Sequence, residues 1–369
     1  MRLRLILLVG VLAACVTAAA PDVGPSPADA FARVPACATR TSWPTAGWAT
    51  AAAPADYADT ALLRRAADTI GTHLTNVRSL LVVRHGVIVY ERYFAGATDS
   101  TVFDLRSATK SLTSALVGVA VGRGAIRSVT QRLPAFIPEY FANNPDVDPR
   151  KRDITLRHLL SMESGLDWDE TRAPPFRPGA DPVVEILGRP MRERPGVSFN
   201  YSSGNSHLLS AAAGRATGRV GLTLANEALF EPMGMPLERL RWFTDPYGRL
   251  SGGAGLHLRA REMAKFGWLY LNSGCWEGRQ LLPAEWVRES VRRWSTTPGG
   301  GAYGYQWWLG TSGGQPIFWA LGYGGQFIFV VPGLDAVVVM TAEVRGVPVD
   351  AGHGRLMGAL IVPALEGRR

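Results

Sequence analysis

The chain has 369 residues, 47% hydrophobic and 19% charged, a balance that supplies a large core and excludes a disordered or low-complexity protein. The formal charge of +8 falls to +6 once Arg2 and Arg4 of an apolar leader are set aside; the arginines are spread along the chain, which excludes a dedicated nucleic-acid surface. No stretch repeats, so solenoids and propellers are excluded too, and the length suits one catalytic unit of two packed lobes.

Met1-Arg-Leu-Arg4 precedes an apolar run from Leu5 to Ala14 and then small residues, the three-part shape of an export signal over residues 1–20. The run is about half of what a membrane-spanning helix requires. Leu12-Ala13-Ala14-Cys15 has the form of a bacterial lipobox, in which a lipidated Cys15 would attach the chain to a membrane, while cleavage after Ala18-Ala19-Ala20 satisfies the same residues. Both readings predict an exported protein, held in the cell envelope as a lipoprotein or left periplasmic or secreted. Residues 21–55, rich in Ala, Pro and Thr without periodicity, predict a flexible tether, and residues 56–369 a catalytic domain. Cys37 and Cys275 form either a disulfide in an oxidising compartment or two buried thiols.

Apolar positions recur at helical spacing from Tyr57 to His73, and Ser79 to Phe94 reads as two strands joined at His85-Gly86. Val102 to Leu105 is strand-like, after which Leu112, Ala115, Leu116 and Val119 share one face of a helix. The pattern then stays mostly helical, with Pro- and Gly-containing loops, through a lobe over about 125–295. Phe318 to Leu321, Gln326 to Val331 and Ala336 to Thr341 are β-rich runs separated by turns, and a last helix spans about Gly354 to Glu366. The expected fold is α+β: an antiparallel sheet from both chain ends, flanked by helices, with a mainly helical lobe inserted and a cleft between them. Gly310-Thr-Ser312-Gly-Gly314 matches the G-x-S-x-G nucleophile elbow, but Gln315-Pro316 and a strand follow where a helix is needed, so it reads as a hairpin turn. The six histidines show no metal-ligand spacing, and no metal or other cofactor is implied.

The chemistry begins at Arg106-Ser107-Ala108-Thr109-Lys110-Ser111. Ser107 falls at the amino end of the apolar helix, where unpaired amides and the positive end of the dipole favour developing negative charge. A spacing of three residues brings Lys110 back beside the hydroxyl. A serine hydroxyl is a poor nucleophile near neutrality, and a neutral amine in hydrogen-bond reach can take its proton; burial lowers a lysine toward that neutral form.

Leu105-Arg-Ser-Ala-Thr-Lys-Ser-Leu-Thr-Ser114 resembles the nucleophile segment of the serine β-lactamase-like hydrolases, above all class C β-lactamases, related esterases and 6-aminohexanoate-dimer hydrolases. Further segments fit the family in order: Ile154 to Asp167, Phe199 to Ser210, Gly255 to Gly267, Tyr303 to Trp308 and Gly322 to Gln326. The resemblance implies the β-lactamase/transpeptidase-like fold and a hydrolase that forms an acyl-enzyme on a small or peptide-like substrate. It also implies Tyr201 as a second acid–base group coupled to Lys110, and an oxyanion hole built from the amides of Ser107 and of Tyr323 or Gly324. Ser203, His207, Gly325 and Trp307 are the candidate substrate contacts. The sequence departs from β-lactamases at Ser203, where they usually carry Asn, and it lacks their Lys-Thr-Gly element. Both departures favour an esterase or amidase over a D,D-peptidase or β-lactamase, and a non-catalytic penicillin-binding-like envelope module remains the alternative from another class.

Overall fold

A computed structural model describes residues 37, 40, 42–171, 179–344 and 352–367. The export leader and Cys15 lie outside the described residues. The strands in chain order are β1 (Ala49–Thr50), β2 (Val77–Arg84), β3 (Val87–Tyr93), β4 (Val102–Asp104), β5 (Arg241–Trp242), β6 (Leu256–Arg259), β7 (Cys275–Trp276), β8 (Arg279–Gln280), β9 (Ser295–Thr296), β10 (Ala302–Tyr303), β11 (Trp308–Ser312), β12 (Gln315–Gly322), β13 (Gln326–Val331) and β14 (Ala336–Ala342). Nine of them form one sheet in the order β1-β3-β2-β14-β13-β12-β11-β10-β9, antiparallel except where β1 joins β3. The first hairpin and the last strands therefore meet at the middle, Val83 opposite Val337.

The central strands are apolar along their whole length because both faces of the sheet are covered. Along β14, Val337 and Val339 face one core with Leu81, Val83, Ile328 and Val330. The alternate residues Ala336, Val338 and Met340 face a second core with Leu80, Val82, Phe327 and Phe329. Helix Thr60–His73 and the C-terminal helical segment Gly352 to Glu366 cover that second face. The tight turns have the backbone that two-residue hairpins require: His85 and Gly86 both take positive φ, as do Gly313 and Gly314, so the G-x-S-x-G segment is a hairpin.

Two expected boundaries move. The tether ends near residue 40 instead of 55: Arg40 pairs with Asp335 at 2.6 Å, Trp43 packs on Trp276, Trp48 on Trp268, and β1 extends the sheet. Cys37 is disulfide-bonded to Cys275, which fastens the same segment to β7. Composition hid this because isolated anchors hold the segment and no periodic face does. At the other limit, helix Ala260–Leu271 packs on the main sheet, and a Cβ on its Gly267 would lie 2.7 Å from Val337. The inserted lobe thus closes before β6; periodicity shows that a helix is buried but not against which neighbour.

Gln306 ties the lobe to the sheet. Its amide donates to the carbonyls of Leu159 and Leu160 at 3.1 and 2.9 Å and its Oε1 accepts from Ser206 at 2.6 Å, while its backbone oxygen accepts from Ser111 at 2.7 Å. One buried side chain thereby links helices Leu156–Leu160 and Ser203–Thr217, and its backbone links helix Thr109–Gly122. Gln306→Leu, which keeps the volume but orphans these groups, should lower unfolding stability by about 2–4 kcal/mol, read from urea titration. A loss under about 0.5 kcal/mol would show that the network is dispensable.

Candidate active site

Ser107 sits in a 3-10 turn, Arg106–Ala108, that leads straight into helix Thr109–Gly122. Local chemistry makes this turn. Arg106 takes a left-handed backbone, φ 49°, unusual for a residue with a side chain, and Asp104 holds it there by accepting from its amide at 2.9 Å and pairing with its guanidinium at 3.1 Å. The Leu105 amide donates to Leu256 at 2.8 Å, which fixes the turn to β6. From the other side β12 comes in backbone to backbone, close enough that a Cβ on Gly322 would lie 2.1 Å from the Leu105 carbonyl oxygen.

Thr109 to Ala120 of the following helix are all buried, Lys110 among them at 1% exposure, whereas Ser107 is half-buried and open to a reactant. Lys110 Nζ makes three contacts of 2.9 Å: to Ser107 Oγ, to Ser203 Oγ and to the Gly253 carbonyl. Of these far-side partners, Ser203 is delivered by the first turn of helix Ser203–Thr217. Ser202 caps it by accepting from the Asn205 amide at 3.1 Å, which sets Tyr201 just ahead of the first turn. Gly252 and Gly253 lie flat against that turn; a Cβ on Gly252 would stand 2.0 Å from the Ser206 oxygen.

Tyr201 is half-buried and its ring face covers the amine, with Lys110 Nζ 4.8 Å from the ring centroid. Trp308, Phe199 and Tyr303 surround it at 5.8, 6.4 and 6.4 Å. Burial, then the neighbouring Tyr201 and Glu170, push the Tyr303 phenol well above its usual range, so it stays neutral. The structure therefore brings Ser107, Lys110, Tyr201 and Ser203 together from regions far apart in the chain. Gly322 abuts the Ser107 turn and Tyr323, 49% exposed, follows it. The Gly324 carbonyl accepts from Asn76 at 2.6 Å.

Three expected substrate contacts fall elsewhere. Trp307 is fully buried, stacked on Phe266 at 5.8 Å and packed against Tyr270 and Phe318; Trp308 turns to the site instead, because successive residues of extended chain point to opposite faces. His207 is 3% exposed, 3.2 Å from Asp245, one turn deeper into the lobe than the cleft. Burial alone would raise Asp245, but hydrogen bonds from His207 and Arg249 outweigh it and hold the carboxyl at about 2, so this is an internal ion cluster. Gly325 is buried, and a Cβ there would lie 2.6 Å from His353 Nε2.

Sequence reasoning missed Glu170. Its carboxylate accepts from Ser203 Oγ, from the Ser203 amide at 2.9 Å and from Trp168 Nε1 at 2.6 Å. Asp169 beside it accepts from Thr171 in a local turn. The only available signal was the acidic run Asp167-Trp-Asp-Glu170 after the Ser-Gly-Leu segment. An apolar cavity of about 330 Å3, bounded by Leu116, Phe136, Ala211 and Leu224, holds none of these groups.

A central antiparallel sheet with terminal helices on one face, and a lysine-paired serine heading a buried helix, defines the architecture of the β-lactamase and penicillin-binding proteins. The Beta-lactamase family model matches residues 77–359, and the chain belongs to that family. It is 25% identical over 313 residues to a 6-aminohexanoate-dimer hydrolase of Paenarthrobacter ureafaciens, covering 77% of this chain and 76% of that one. Among solved structures, a Bacillus anthracis protein with a provisional 6-aminohexanoate-dimer hydrolase assignment superposes with a TM-score of 0.68, at 22% identity and 88% coverage of each chain. A family VIII carboxylesterase superposes with a TM-score of 0.64, at 18% identity over 85% of this chain and 98% of that one.

Proposed function

We propose that the protein is a serine hydrolase that cleaves an ester or linear amide through an acyl-enzyme. Ser107 Oγ attacks the carbonyl carbon, Lys110 takes its proton, and the carbonyl electron pair moves to oxygen in an oxyanion hole formed by the amides of Ser107 and of Tyr323 or Gly324. Tyr201 passes a proton to the leaving group, and water then releases the acyl group by the reverse sequence. The observation that carries this reading is the 2.9 Å approach of a fully buried Lys110 amine to the half-exposed Ser107 hydroxyl. An amine sheltered in this way is at hand to act as a base, and the hydroxyl is still reachable.

Ser203 in place of the usual Asn, with Gly322-Tyr-Gly324 in place of Lys-Thr-Gly, supports an ester or amide substrate over a β-lactam. Relatives named for an amide dimer and for carboxylesters favour the same choice. The apolar leader supports export and work in the cell envelope, with Cys15 the proposed site of lipid attachment.

The test is a panel of short-chain esters, linear amides, D-amino-acid peptides and β-lactams, read by intact mass. Esters or amides should leave a transient acyl adduct that peptide mapping assigns to Ser107, and Ser107→Ala should abolish it. An adduct that survives that substitution would overturn the nucleophile, and turnover confined to β-lactams would overturn the substrate class.

A further inference from the structure

We propose that Glu170 is a positioning residue that fixes the direction of the hydrogen bonds around Lys110, so that Ser107 and not Ser203 surrenders its proton. The inference rests on the hydrolase reading above.

Two hydroxyls lie equally near Lys110 Nζ, each at 2.9 Å. Distance therefore gives the amine no reason to choose between them. The third partner, the Gly253 carbonyl at 2.9 Å, can only accept. Ser203 has a single proton, and it donates this to Glu170 Oε1, an ionised acceptor with nothing to give back. Ser203 Oγ thus presents only lone pairs to Lys110. The carboxylate is itself fixed in register, because the Ser203 amide and Trp168 Nε1 both donate to its other oxygen.

As an ammonium, Lys110 donates to all three partners. As a neutral amine it keeps two protons, and the two partners that cannot donate, Gly253 O and Ser203 Oγ, claim them. Its lone pair is left for Ser107. In the acylation step the Ser107 Oγ–H proton moves to that lone pair, and the released oxygen electrons form the bond to the acyl carbon. Glu170 gains and loses no proton; it acts through Ser203.

Glu170→Gln reverses the arrangement. With two N–H donors fixed at one side, the amide oxygen takes that place and the NH2 group faces Ser203 Oγ. That group donates to Ser203, whose own proton then turns toward Lys110 and competes with Ser107.

In the full chain, Glu170→Gln should lower kcat/KM for p-nitrophenyl acetate by about 10- to 100-fold, the loss falling on kcat with KM within about twofold of wild type. Ser203→Ala is also impaired, since Lys110 loses an acceptor, but adding Glu170→Gln to it should cost nothing further, because no Ser203 proton remains to be misdirected. Glu170→Ala, which leaves Ser203 free to turn, should behave like Glu170→Gln. Equal losses from Glu170→Gln in the wild-type and Ser203→Ala backgrounds, or an unmoved kcat, would overturn the proposal. If Ser107→Ala is inactive while the Glu170 variants match wild type, only this inference fails; if Ser107→Ala still turns over, the hydrolase reading fails first.

Discussion

Lys110→Met should lower kcat/KM for a neutral short-chain ester by on the order of 10^3- to 10^4-fold, the range expected when a general base is removed from a serine nucleophile. Met has nearly the length and volume of the lysine stem, so the packing of a residue exposed to only 1% is preserved. The Gly253 carbonyl and Ser203 Oγ lose a donor, at a cost of about 1–3 kcal/mol. Relief from burying a charge offsets part of that cost, so the variant stays folded and the loss falls on the chemistry. Burst titration with a phosphonate distinguishes the two: the folded variant should react with Ser107 slowly but to completion. Turnover within tenfold of wild type would remove Lys110 from the mechanism.

Gly322→Ala is expected to have the second largest effect, though it adds one methyl group to a residue with no reacting atom. The added carbon would stand 2.1 Å from the Leu105 oxygen, far inside contact distance, so either the end of β12 or the Ser107 turn must give way. Pairing with β11 and β13 restrains the strand. The Leu105–Leu256 hydrogen bond restrains the turn. Overpacking costs about 1–3 kcal/mol, and a displacement approaching 1 Å at the nucleophile costs about 10^2-fold in rate. Gly310→Ala on neighbouring β11 is the control, since its added carbon meets the Trp319 ring at an ordinary 3.4 Å and should leave both quantities near wild type. Similar behaviour of the two variants would show that the close approach at Gly322 has no part in shaping the site.

What could be read from the sequence was what depends on near neighbours. The hairpin at His85-Gly86, the three C-terminal β runs and the helix after Ser107 announce themselves by period and turn residues, and each is present within a few residues of its expected limits. The Ser107–Lys110 spacing is likewise a property of one helical turn. Glu170 could not be found this way: it meets Ser203 33 residues later, from a loop with no period to say which of three acids faces inward. Trp307 and Trp308 differ only in which side of an extended chain each occupies, and composition treats them alike. The segment from residue 40 to 55 looked like a linker because its attachments, Arg40, Trp43 and Trp48, are single contacts to distant partners.

The place of β2 in the sheet has a consequence for how the protein must be made. Its partners are β3, which follows at once, and β14, the last of the described strands to leave the ribosome. Until then the nascent hairpin carries an open apolar edge, and the lobe has no completed wall to close against. A chain that stops before β14 thus leaves β2 with an unpaired apolar edge, a template for strand pairing between chains.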